Sequence, residues 1–269
     1  RPDVDPERLA AYGISAGGYM VQRAATRERR IKACVANKAV IAYLFPQHGL
    51  IQAGQIAAEK LTHINYAFAD IKDGVMVEGF RNDAENFRIL NSLKGRNAQL
   101  KVLVSVGGWT WSGNFSDMVL TPQARKKFID SAVTFIVRHN LDGLDVDWEY
   151  PGLVGYGNRH RTEDKQNFTV FLTEMRQAFK KLGGKNKYYL LTIAAGALDE
   201  YLQFTEMDKV SRQLDFINLM TYDQFEAGMD SITGHHAPLY THPNNHKKIS
   251  AATMVDRFLK AGVPAHKLV

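Results

Sequence analysis

The sequence predicts an α/β fold of parallel strands, a (β/α)8 barrel of the TIM type that is incomplete at its C-terminus, preceded by a short segment of different character. Three observations lead there. From residue 39 onward strand and helix candidates alternate, the mark of a sheet whose neighbours run parallel. The residues with chemical potential fall at the carboxyl ends of the strand candidates, where barrels place their chemistry. No internal repeat or low-complexity stretch interrupts that alternation in a chain of 269 residues, long enough for one large domain or two small ones.

Residues 1–38 read differently. A short apolar strand candidate runs into Gly13-Ile14-Ser15-Ala16-Gly17, followed by a helical stretch and a second short strand at 31–36. Gly-x-Ser-x-Gly between strand and helix is the nucleophile-elbow pattern. This segment resembles the elbow region of an α/β-hydrolase, which would make Ser15 a nucleophile. Such an enzyme needs an acid and then a histidine, each after its own strand, and nothing beyond residue 40 has that organisation. The alternative is a small βαβ piece whose glycines make a tight turn.

In the barrel-like region, 39–45 reads as the first strand and 61–69 as the second. Residues 83–93 form a helix with Phe87, Leu90 and Leu93 at helical spacing. The third strand is 100–106. Thr121 and Pro122 open the next helix as N-cap and first-turn proline, and Ala124, Phe128, Ala132 and Ile136 make its apolar stripe. The fourth strand lies within 141–151, followed by a helix over 162–182, a fifth strand over 188–195, a sixth over 214–221, and a helix over 250–261. Residues 267–269 look like the start of a seventh strand.

Composition excludes several classes. Hydrophobic residues make up 45% of the chain, and no apolar run approaches the roughly 20 residues of a membrane span, so no membrane partner is expected. Net charge is +6, but the basic residues are scattered apart from two short clusters that fit solvated helix faces, so nucleic acid is not an expected partner either. Cys34 is the one cysteine, which rules out an intrachain disulfide. The chain opens on Arg-Pro-Asp, with no signal peptide visible, so either a leader has been removed or this is an internal piece.

The fourth strand carries the chemistry. Leu-Asp-Gly-Leu-Asp-Val-Asp-Trp-Glu-Tyr-Pro holds four carboxylates, Asp142, Asp145, Asp147 and Glu149. Side chains alternate along a strand, so Asp145, Asp147 and Glu149 share one face while Leu144, Val146 and Trp148 share the other. Three crowded acids raise at least one pKa, so that a proton is shared or retained, and a retained proton on Glu149 is what a general acid needs. A calcium loop would interleave Asn, Gly and backbone carbonyls instead. Ser105-Val106-Gly107-Gly108-Trp109 closes the third strand, and Met220-Thr221-Tyr222-Asp223 closes the sixth. The histidines at 235, 236, 242 and 246 share one loop, but no acid or cysteine completes a ligand spacing, and no metal is expected.

These three motifs resemble the signatures of family-18 glycoside hydrolases, the chitinases, and the resemblance spans residues 39–269. It implies a retaining, substrate-assisted hydrolysis of β-1,4-linked N-acetylglucosamine polymers. Glu149 is then the acid and base, Asp147 holds the acetamido nitrogen, Asp145 shares a proton with Asp147, and Tyr222 orients the acetamido carbonyl. The resemblance further assigns Asp142, Tyr43, Phe68, Ser105, Gly108, Trp109, Tyr150, Met220 and Asp223 to substrate binding. It implies no metal and no cofactor, chitin or chito-oligosaccharides as partner, and a secreted, extracellular location. It also implies two further strands after Val269, the last bringing a tryptophan to the site. Alternatives are a chitin-binding barrel without activity, an endo-β-N-acetylglucosaminidase, and a serine esterase acting through Ser15.

Overall fold

The computed structural model describes residues 39–225 and 230–269. The predicted elbow around Ser15, and the whole segment 1–38, lie outside the described residues.

The chain alternates as expected. Strand β1 (Ile41–Leu44) leads through two short 3-10 turns to β2 (His63–Lys72) and its return β3 (Val75–Glu78). Helix α1 (Asp83–Ser92) precedes β4 (Lys101–Gly107), and helices α2 (Phe115–Leu120) and α3 (Pro122–Arg138) precede β5 (Gly143–Asp147). Helix α4 (Asp164–Gly183) leads to β6 (Leu190–Gly196), α5 (Asp199–Gln203) and α6 (Met207–Val210) lead to β7 (Ile217–Met220), and α7 (Ala251–Lys260) comes last. The sheet order is β1-β2-β4-β5-β6-β7, every neighbour parallel, with β3 pairing antiparallel to the end of β2. Leu268 makes a further parallel bridge to Ile217.

The hairpin β2–β3 was not expected from the strand pattern. Lys72 pairs with Val75 across Asp73-Gly74, both at positive φ (51° and 71°). Asp-Gly is the dipeptide that a two-residue turn with both central φ positive favours, so a local signal was present.

The sheet is curled. In a flat sheet β1 and β7, five strand spacings apart, would be separated by about 24 Å. Instead Asn218 on β7 donates to the Tyr43 hydroxyl on β1 at 3.0 Å. At the opposite end of the strands the rings of His63 and Phe216 stand 5.0 Å apart, and Ile41, Phe216 and Val269 form a small cluster. The strands therefore curl into an incomplete (β/α)8 barrel with helices outside.

The main core lies between sheet and helices. Thr121 caps α3 by accepting from the Ala124 amide at 3.1 Å, Pro122 takes its first position, and Phe128, Ile129, Ala132, Phe135 and Ile136 are buried on one stripe. Trp148 is buried and stacks on Phe115 at 5.2 Å, with Phe168 of α4 edge-on at 5.6 Å. The outward side of the acidic strand is thus anchored in aromatic packing.

Helix α4 is tied to the lower end of the sheet by one buried guanidinium. Arg176 donates to Gln213 O (2.8 Å), Tyr189 O (2.9 Å) and Asp215 Oδ2 (2.6 Å). Asp215 also accepts from Leu191 N and the Tyr188 hydroxyl. Arg176→Met should lower unfolding free energy by roughly 2 kcal/mol, less than the loss on breaking a wholly buried pair because Asp215 keeps two donors. A urea midpoint measurement checks this, and an unchanged midpoint would refute the tie.

Candidate active site

The inner ends of the strands converge on Asp145. Its Oδ2 accepts from the Tyr43 hydroxyl (2.8 Å, β1) and the Ser105 hydroxyl (2.8 Å, β4). Its Oδ1 accepts from the Thr192 hydroxyl (2.5 Å, β6) and the Asn218 amide (3.2 Å, β7). Full burial pushes the Asp145 carboxyl above its ordinary value, and these four donors oppose the shift. Thr192 and Asn218 had escaped the sequence reading. Asn218 was accessible to it, because alternation puts it on the face of Met220, two residues on.

Asp147, two residues along, is buried too, but no side-chain hydrogen bond holds it among the described residues, and its Oδ1 has no partner. Burial, then the neighbouring charges of Glu149 and Asp145, push its carboxyl well above the ordinary range. Glu149 follows just beyond the strand. Burial raises it to about 7, aided by Asp223 and opposed by a hydrogen bond from Tyr150. Both carboxyls are thus shifted toward their protonated forms.

The backbone around the acids is shaped by Gly107 and Gly108, at φ +108° and +81°. A Cβ on Gly107 would stand 2.2 Å from Asp147 O, and one on Gly108 2.8 Å from the Phe68 ring. Only glycine fits this double approach of strand to strand and ring. Gly108 N donates to Asp147 O (2.8 Å). Glu149 N donates to the Ser112 hydroxyl (2.9 Å), which donates to Gly108 O (2.9 Å). Ser112 was another residue the sequence reading missed.

A cavity of about 360 Å3 opens above Asp147, lined by Tyr43, Phe45, Phe68, Met220 and Tyr222. Partial burial, then the charges of Asp147 and Glu149, raise the Tyr222 phenol, so it keeps its proton as a donor across the neutral range. Trp109 is exposed at the rim, its ring 6.3 Å from both Tyr150 and Tyr156. Trp111 instead packs on Phe80 at 5.0 Å. Asp223, at φ 55°, pairs with His236 Nε2 at 3.2 Å.

One predicted site residue is not brought to this cleft. Asp142 stands five residues before Asp147, about 16 Å down the strand direction. There it accepts from Val102 N (2.8 Å) and pairs with Lys94 (2.7 Å), at the opposite end of the sheet. Its parity matches Leu144 and Trp148, not Asp145. It ties β4 and the end of α1 to β5, and the assignment to substrate binding is corrected on that ground. A larger cavity of about 450 Å3 lies under the 232–245 loop beside Phe225, His235 and His242, and no carboxylate among the described residues lines it. Among the described residues no group of three His, Cys, Asp or Glu is placed to hold a metal ion.

A parallel barrel sheet with buried acids at its strand ends, beneath an aromatic cleft, is the architecture of the barrel glycoside hydrolases. The chain belongs to family 18 of the glycosyl hydrolases, whose model matches residues 18–269. It is 38% identical over 265 residues to Chitinase A1 of Niallia circulans, covering 78% of this chain and 38% of that protein. It is 38% identical over 217 residues to Chitotriosidase-1 of Mus musculus, covering 77% of this chain and 45% of that one. A solved family-18 N-acetylglucosaminidase from Paenibacillus barengoltzii superposes with TM-score 0.78 at 39% identity, covering 85% of this chain and 66% of that one. The chain thus spans about two fifths of the length of the curated relatives named here.

The raised Glu149 carboxyl has a thermodynamic signature independent of activity. Its ordinary value is 4.5, and in the folded chain it is about 7. Between those values the folded state binds the extra proton, so stability falls as pH rises through the window. Glu149→Gln removes this contribution. The melting temperature of the variant should therefore gain on the parent as pH is raised from about 4.5 to about 8. A difference that stays constant with pH would contradict the raised value.

Proposed function

We propose that this chain is the catalytic barrel of a chitinase, cleaving β-1,4-linked N-acetylglucosamine polymers with retention by substrate assistance. The observation that carries the reading is the pair Asp147–Glu149. One carboxyl keeps its proton near neutral pH, and beside it lies a buried carboxyl oxygen with no hydrogen-bond partner among the described residues. An acetamido N–H satisfies that unpartnered acceptor, which a plain hydroxylated sugar ring does not place in the same way.

The steps follow from the groups present. The Glu149 proton goes to the glycosidic oxygen, and the C1–O bond breaks with its electron pair on the departing sugar. The acetamido carbonyl oxygen forms a bond to C1 and gives an oxazolinium ion. Asp147 accepts from the acetamido N–H and stabilises its positive charge, while Asp145, fixed by four donors, bounds the motion of Asp147 from below. The Tyr222 hydroxyl donates to the carbonyl oxygen. Water then adds to C1, its proton returns to Glu149, and the intermediate opens with retention. Trp109 and Phe68 supply flat faces for sugar rings.

The names of Chitinase A1 and Chitotriosidase-1 support chitin or its oligomers as substrate. Such a polymer does not enter cells, which supports action outside the cell. The likeness to an N-acetylglucosaminidase supports a second reading, the release of single N-acetylglucosamine units. Fluorogenic mono- and disaccharide glycosides separate the two.

Turnover of a fluorogenic N,N′-diacetylchitobioside should fall at least about 100-fold in Glu149→Gln, with chito-oligosaccharide binding retained. Equal loss of both would overturn the role of Glu149 as acid. For the parent chain, kcat/KM should decline above about pH 7 as Glu149 loses its proton. A profile flat to pH 9 would count against that assignment.

A further inference from the structure

Basic residues that are scattered along the chain are gathered by the fold at the end of the sheet opposite the acids. Three segments carry the chain from the ends of α1, α3 and α4 into β4, β5 and β6: residues 93–103, 131–144 and 175–192. Together they hold nine lysines and arginines and a single acid, Asp142. The three lie side by side. Asp142 N donates to Val102 O (2.8 Å), and Leu190 N donates to Asp142 O (2.9 Å). Lys94 pairs with Asp142, and Lys187 Nζ donates to Leu141 O (3.1 Å). Lys101 is level with Leu141 in the β4–β5 register, and Arg138 stands three residues before Leu141.

The carboxylates at this end are held by the fold itself. Asp142 is engaged by Lys94 and Val102 N. Asp215, reaching in from the β7 side, is engaged by Arg176, Leu191 N and the Tyr188 hydroxyl. Lys101, Arg138, Lys181 and Lys185 are exposed and have no ion-pair partner among the described residues. Cations near helix C-termini offset the macrodipole, which accounts for Arg138 and Lys181 in the last turns of α3 and α4. Lys101 and Lys185 lie outside any helix, so the dipole does not explain them. Like charges gathered on one face repel, and a bound polyanion removes that repulsion. Arg138 and Arg88, the latter paired with Glu85, also line a cavity of about 380 Å3 between α1 and the end of α3, room for an anionic group at the edge of this face.

We propose that this end of the barrel is a docking surface for a linear acidic polysaccharide, whose sulfate or carboxylate groups meet Lys101, Arg138, Lys181 and Lys185 while a sugar ring lies on Tyr188. The Tyr188 ring is exposed, and an aromatic face beside cations suits a charged sugar polymer. Single-stranded nucleic acid is bound on successive stacking aromatics. Tyr188 is the one exposed Phe, Trp or Tyr among the described residues of these three segments. The surface lies at the opposite end of the strands from Asp147 and Glu149, so a docked chain keeps its cleft open.

The test is binding of labelled dextran sulfate at low ionic strength, read by fluorescence polarisation, with uncharged dextran as the blank. In the triple variant Lys101→Gln, Arg138→Gln, Lys185→Gln the Kd should rise about tenfold or more, and the dependence of log Kd on log salt should become shallower by about 2. A control triple, Lys126→Gln, Lys127→Gln, Lys165→Gln, removes the same charge toward the starts of α3 and α4 and should bind like the parent. Absence of binding by the parent overturns the proposal. So does equal weakening in the two triples, which marks a response to net charge alone, or equal binding of uncharged dextran. A tighter hold on single-stranded DNA of matched charge overturns the polysaccharide as partner. Inhibition of diacetylchitobioside turnover by the polymer would place it in the cleft and overturn the docking surface as well. The binding readout does not depend on the chitinase reading, so either can fail without the other.

Discussion

One carboxylate organises the interior. Asp145 accepts from Tyr43, Ser105, Thr192 and Asn218, which stand on four different strands, two of them the first and last of the parallel path. A flat sheet could not bring these donors to one residue, so the hydrogen bonds and the curl of the sheet require each other. All four lone-pair directions of the carboxylate are used, and Asp145 therefore cannot turn. Burial is what pushes the Asp147 and Glu149 carboxyls up, and the Asp145 charge adds to the shift of Asp147.

The response is graded along the strand. Asp145 is the most fully bonded, Asp147 is buried and unheld, and Glu149 lies at the cavity edge, touched by Tyr150. Carboxyls spaced two residues apart on one face would be unstable if all were charged, and the strand tolerates them because its other face is stapled by Trp148 between Phe115 and Phe168. Stability is thus concentrated on the outward side and strain on the inward side, as sites that hold charges out of water require. Gly107 and Gly108 let β4 lie close enough to the acid strand for Ser105 and Ser112 to serve as struts.

Much of this was legible in the sequence, for physical reasons. Alternation within the strand placed Asp145, Asp147 and Glu149 on one face, and the same rule put Leu144, Val146 and Trp148 in the core. The helix opening at Thr121-Pro122 followed from capping chemistry. What escaped were residues whose importance is set by neighbours distant in the chain. Thr192 and Asn218 are ordinary polar residues until the sheet curls and brings them to Asp145. Ser112 matters only because its hydroxyl reaches the Glu149 amide. Asp142 was misplaced because the motif was treated as a unit, although parity already set it on the opposite face from the other acids. The hairpin at Asp73-Gly74 was readable from its turn dipeptide and was passed over in favour of a strand ending at residue 69.

The aromatic residues around the acid strand have an optical consequence. Of the three tryptophans in the chain, Trp148 is sealed against Phe115, Trp111 packs on Phe80, and Trp109 stands 45% exposed at the mouth of the cleft. The molecule therefore carries built-in fluorophores at separate depths. A soluble quencher reaches Trp109 and leaves Trp148 dark to it, so emission from the rim follows occupancy of the cleft while emission from the interior follows the integrity of the fold. A single spectrum, resolved by quenching, separates a ligand that binds from a condition that unfolds.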